Sequence, residues 1–143
     1  MAPDVVSQAR RAAEEVAAAR PGSAPSECAL SLGIEIIEAP SPPPAQPTLC
    51  SEYRANPPRI LLYTRSLHGG SLGIDATQGN PSAYEVSKEL HVAHELFHHL
   101  EMARRFGSLT RAESEAGAHA FARCLVRLAL GWDIPLERRT GAD

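Results

Sequence analysis

Three residues within a five-residue span, His94, Glu95 and His98, form the pattern His-Glu-x-x-His. Two histidines four apart stack on one face of a helix, so both imidazoles can reach a single Zn²⁺. The glutamate between them points toward the open side of such a metal, where it can take a proton from water. These residue types at this spacing suit hydrolysis, with His94 and His98 as metal ligands and Glu95 as the catalytic base. The chain has six His and thirteen Glu in 143 residues. Shuffled, it would contain the pattern only roughly 0.02 times, so chance is a poor explanation.

The motif needs a helix. From Pro81 the apolar positions Tyr84, Val86, Leu90, Val92, Leu96, Phe97 and Leu100 recur at helical spacing, without Gly or Pro as far as Phe106. Catalytic zinc also needs a third protein ligand and an open position. Glu113, Glu115 and His119 are the candidates, all in a last helix running from Thr110 to about Gly131. Taking Arg123 and Arg127 as its wet face, Glu115 lies roughly 100° from the centre of that face and Glu113 about 60°. Geometry favours Glu115 and leaves Glu113 open. His119, one turn beyond Glu115, can serve as an outer partner of a metal ligand.

Other residues stand near the motif. His91 lies seven before His98 and thus near the same helical face, within reach of substrate. His68 can reach the site if the Gly-rich segment Leu67 to Asn80 folds over it. Tyr63 and Tyr84 are candidate transition-state donors, and His99 points away from His98.

The preceding chain supplies a frame. Val5 to Ala19 reads as a helix ended by Pro21-Gly22, and a short helical stretch surrounds Glu27 to Leu32. Ile34 to Glu38, Leu49 to Tyr53 and Arg59 to Thr64 read as strands, the last of them a candidate edge for an extended substrate. Between the first two, Pro40 to Pro47 holds five prolines in eight residues, a stiff loop or a proline-rich ligand for a partner. The net charge of -3 argues against a nucleic-acid surface. No apolar run approaches a membrane span, and the Ala-rich, mixed-charge start lacks the apolar stretch of a signal peptide. A cytoplasmic protein is expected. Cys28, Cys50 and Cys124 form neither a CxxC pair nor an even framework and read as small buried hydrophobes.

Taken together, the segments resemble the ImmA/IrrE-type metallopeptidases, or minigluzincins. Leu32-Gly33-Ile34-Glu35-Ile36 matches the family's early strand, and Arg59-Ile60-Leu61-Leu62-Tyr63 a later one. Ala93-His94-Glu95-Leu96-Phe97-His98 matches its AHELxH helix. Aligning the last helix on Phe121-Ala122 puts Glu115 on the family's metal-ligand glutamate and His119 on its Asn or Asp position. Gly117 stands where a second Glu is common, and Cys124-Leu125-Val126-Arg127 departs from the usual proline-containing ending.

The resemblance implies a zinc endopeptidase of a zincin-like α+β fold, with a short, mainly antiparallel sheet packed on the motif helix and a following glutamate-bearing helix. It implies one domain over 1–143: an N-terminal helix and linker (1–24), a core (25–131) and a tail (132–143). One Zn²⁺ would be held by His94, His98 and Glu115. The substrate would be a separate protein, a helix-turn-helix transcriptional repressor, with no direct contact to nucleic acid or membrane. The alternative expectation is a catalytically weak zinc-bound interaction module of the same fold, in which a fourth ligand such as His119 closes the metal site.

Overall fold

The computed structural model describes residues 4–69, 83–103 and 105–132, the side chains of His68 and Ala83 excepted. The fold is α+β, with one three-stranded sheet against a set of helices. The first helix, α1 (Val5–Ala19), is capped by Asp4, whose carboxylate accepts from the Ser7 N–H at 3.3 Å. Its inner stripe is only Ala9, Ala12 and Ala13. Side chains this small let a neighbouring helix approach closely: the Cys124 thiol reaches the Arg10 carbonyl at 3.9 Å. Helix α2 (Pro25–Ser31) starts with a proline at its first turn, where a missing N–H costs nothing. It ends before Gly33, whose φ of +81° suits a residue without a Cβ.

The strands are β1 (Glu35–Ala39), β2 (Ser51–Arg54) and β3 (Arg59–Tyr63), in the order β1-β3-β2. β1 runs parallel to β3, with Ile36 opposite Ile60, and β2 antiparallel to it, with Ser51 opposite Leu62. The sheet is therefore mixed, not mainly antiparallel. β3 is its centre, so the substrate-edge role expected of that strand cannot belong to it. Its near-continuous apolar sequence RILLY is what a doubly flanked strand requires. The free edge near the motif is β2.

Thr64, read from sequence as strand, instead begins a short helix, α3 (Thr64–Gly69), which takes in the start of the segment expected to be loop. The rest of that Gly-rich segment, from Gly70 to Asn80, lies outside the described residues. The proline-rich stretch is a run of turns, with the Gln46 N–H donating to the Pro43 carbonyl at 2.9 Å.

Helix α4 (Ala83–Met102) carries the motif. It ends four residues before Phe106 because the chain doubles back: the Phe106 ring stacks on Phe97 at 4.7 Å. Helix α5 (Arg111–Leu130) runs from a Thr110 cap to Gly131 in the left-handed conformation. Phe97, fully buried, locks α4 to α5 by packing on Phe121 and on Gly117. A Cβ on Gly117 would stand 2.6 Å from the Phe97 ring, so only glycine permits this approach. Among the described residues no helix is long and apolar enough to cross a membrane.

Candidate metal centre

Helix α4 turns about 100° per residue, which sorts its polar side chains into two stripes. His94, His98 and Glu101 fall within about 60° of one another, and His91, Glu95 and His99 within about 80°, roughly a quarter turn further round. The first stripe faces α5 and the second faces β2.

On the first stripe, the Glu115 carboxylate from α5 meets both motif histidines. One oxygen lies 3.3 Å from His94 Nε2 and the other 3.7 Å from His98 Nε2. Ligands about 2.0–2.1 Å from a tetrahedral zinc are about 3.3–3.4 Å apart, so these separations leave room for one ion between them. His94, His98 and Glu115 form a group whose ligand atoms all lie within 4.8 Å, a cluster that could hold a metal ion. The donor set, two imidazole nitrogens and a carboxylate, suits Zn²⁺. Burial, followed by the neighbouring His98, His119 and His91, pushes the His94 pKa down to about 3. Its ring is neutral at ordinary pH and offers a lone pair to a metal.

The ring of His98 is aimed from behind. Its Nδ1 lies 3.2 Å from Glu101 Oε1, and the Ser114 hydroxyl donates to the same oxygen at 2.6 Å. An acceptor on Nδ1 places the ring hydrogen there and keeps Nε2 bare for the metal.

The second stripe is read by alternate residues of the β2 edge. The Ser51 hydroxyl donates to Glu95 Oε2 at 2.8 Å and lies 3.3 Å from His91 Nδ1. Two residues on, the Tyr53 hydroxyl lies 2.8 Å from His99 Nδ1. Glu95 is only 6% exposed, and burial raises its pKa while the Ser51 hydrogen bond opposes that rise. A carboxylate tuned upward toward neutrality suits a general base. A cleft of about 400 Å³ joins the two stripes, lined by Ser51, Tyr53, His94, Glu95, His98 and Glu115 among others.

The structure separates the sequence candidates. Glu115 comes to the histidines, whereas Glu113 caps its own helix: Thr110 N–H donates to Glu113 Oε1 at 2.9 Å and Glu113 N–H to Thr110 Oγ1 at 3.1 Å. That reciprocal pair is the Thr-x-x-Glu capping box, a signal present in the sequence. His119 packs its ring edge against His94, with centroids 5.1 Å apart. His91 lies partly buried behind Ser51, with its Nε2 fully covered. Strand alternation puts Tyr63 on the face of the sheet away from Ser51, where its hydroxyl donates to Glu52 at 2.6 Å. Burial and then that bond push the Tyr63 pKa up to about 12. The side chain of His68 lies outside the described residues.

Glu101, Ser114, Ser51 and Tyr53 were not singled out from sequence. Glu101 follows His98 by three, a spacing that places the two side by side on a helix and could have drawn notice. The other three depend on contacts across elements. Compared with models of protein families, with curated proteins and with solved structures, the chain matches none. What the geometry supports is a His94, His98 and Glu115 group on two helices that could hold a metal ion.

Proposed function

We propose that this protein is a zinc endopeptidase of the minigluzincin kind that hydrolyses a peptide bond in a separate protein, a helix-turn-helix repressor. The observation that carries the reading is the Glu115 carboxylate, one oxygen 3.3 Å from His94 and the other 3.7 Å from His98, with Glu95 on the adjoining stripe. His94, His98 and Glu115 would hold the ion. Bound zinc would supply a Lewis acid that acidifies water and polarises the scissile carbonyl. Glu95 takes the proton as the water oxygen attacks the carbonyl carbon, then delivers it to the amine nitrogen as the C–N bond breaks. The open edge of β2 beside the cleft suits an extended substrate, whose backbone would pair with Ser51 to Arg54.

The rival reading, a closed zinc-bound interaction module, needs a fourth protein ligand. Among the described residues the candidate cluster has three members, and His119 is not one of them. Three protein ligands and a free position favour catalysis. The test is to incubate the zinc-loaded protein with helix-turn-helix repressors from its own genome and compare Glu95→Gln. Wild type is expected to cut one of them, and the variant to keep its zinc while losing about 10²–10⁴-fold in rate. Equal cleavage by both proteins would sink the mechanism.

A further inference from the structure

Ser51, the first residue of β2, is 6% exposed, and its single hydroxyl hydrogen has two neighbours. Glu95 Oε2 stands at 2.8 Å and His91 Nδ1 at 3.3 Å. The hydroxyl hydrogen goes to Glu95 Oε2, the nearer of the two and an acceptor. The Ser51 oxygen then presents a lone pair to His91, and Nδ1 must carry the ring hydrogen. The far nitrogen, His91 Nε2, is buried with no hydrogen-bond partner among the described residues. A buried N–H without an acceptor costs about 1–3 kcal/mol, and bare acceptors are better tolerated. Both ends of the chain of contacts therefore select the same tautomer, with hydrogen on Nδ1 and none on Nε2. Burial, and after it the His119 charge, lowers the His91 pKa to about 4, which keeps the ring neutral.

We propose that His91 and Ser51 are positioning residues for Glu95: His91 Nδ1–H donates to Ser51 Oγ, and Ser51 O–H donates to Glu95 Oε2, leaving Oε1 to serve the cleft. Helix α4 thus holds its own base through a residue of the neighbouring strand. His91 and Glu95 are one helical turn apart, and Ser51 spans them. The catalytic consequence rests on the peptidase reading, whereas the hydrogen-bond chain does not. A reversed chain, running from Glu95 through Ser51 to His91, would place the ring hydrogen on Nε2, so the two directions have different signatures.

The experiment is nitrogen-15 NMR of the histidine rings in the zinc-loaded protein, with Ser51→Ala and Ser51→Thr beside wild type. His91 is expected as the Nδ1–H tautomer in wild type and in Ser51→Thr. In Ser51→Ala it is expected to leave that fixed state while the His94 and His98 signals hold. An Nε2–H tautomer in wild type, or a His91 indifferent to Ser51→Ala, would overturn the assignment. Hydrolysis of dye-labelled casein adds the catalytic readout. Ser51→Ala should lose about 10–100-fold in kcat with KM within about twofold, and Ser51→Thr should recover most of it. An unchanged kcat in Ser51→Ala would overturn the positioning role. Casein left uncut by the zinc-loaded wild type would count against the peptidase reading, and the ring tautomers would still decide the chain.

Discussion

Helix α4 presents two polar stripes that are completed in different ways. His94 and His98 are completed by another helix, through Glu115 and, from behind, Glu101 and Ser114. His91, Glu95 and His99 are completed by a strand edge, through Ser51 and Tyr53. The helix contact brings three ligand groups to one point and depends on the glycine-sized gap at Gly117. The strand contact brings no such cluster; it fixes side chains singly, at the two-residue step of β2 and the four-residue step of α4. One face could share an ion, and the other fixes Glu95 against a strand. The proposed hydrolytic site would use both, and a single helix offers the side chains a quarter turn apart.

Acid should act on both stripes together, and with the largest effect. His94 and His91 are both held neutral by burial, at about 3 and about 4. Unfolded histidines titrate near 6.5, so between that value and about 4 the unfolded chain binds more protons than the folded one. Stability is therefore full above about 6.5 and is lost as pH falls. With two histidines contributing, metal-free protein is expected to lose roughly 2–3 kcal/mol per pH unit around pH 5. Denaturant unfolding across pH 7 to 5 measures this. Zinc should raise stability without flattening this slope, because His94 is already unprotonated in the folded state while the unfolded chain still takes up its protons. A stability that stays level between pH 7 and 5 would mean that these two histidines are not held neutral by burial.

A smaller effect is expected at Glu101. Replacing it with Gln should weaken zinc binding about 10–100-fold, since the His98 ring loses the carboxylate that orients it. Competition with a chelator of known affinity reads the change, and an unaltered affinity would make the Glu101–Ser114 pair a surface contact only. Smallest is Tyr53→Phe, which removes the hydroxyl beside His99. It should cost about 0.5–1.5 kcal/mol of stability and leave zinc affinity untouched. A loss of zinc in that variant would show the stripes to be coupled through the helix.

The same contrast explains what was legible in the sequence. His94, Glu95 and His98 announce themselves because their chemistry is written within one helix at a fixed spacing. The helices around them follow from caps and breakers, as at Asp4, Thr110 and Gly131. Glu115 could be preferred on helical angle alone, but separating it from Glu113 required seeing the capping box for what it is. Ser51 and Tyr53 sit 44 and 46 residues before their partners, and nothing in a four-residue strand says which helix it will face. The partner of His91 was hidden for a geometric reason. On the helix it lies about 20° from His98 and about 40° from Glu95, so angle alone favours the metal side, and only the buried Ser51 hydroxyl shows which stripe it joins. The central position of β3 could have been read from its apolar run, whereas the parallel pairing with β1 depends on the path of the chain between them.

The most direct measurement is zinc per chain, by elemental mass spectrometry after zinc loading and gel filtration, on wild type, Glu95→Gln and Glu115→Gln. Wild type and Glu95→Gln are expected to retain about one zinc each, and Glu115→Gln far less, because the carboxylate from α5 completes the ligand set and Glu95 does not. A wild type without zinc, or a Glu115→Gln protein that holds zinc as firmly as wild type, would contradict a metal centre at His94, His98 and Glu115.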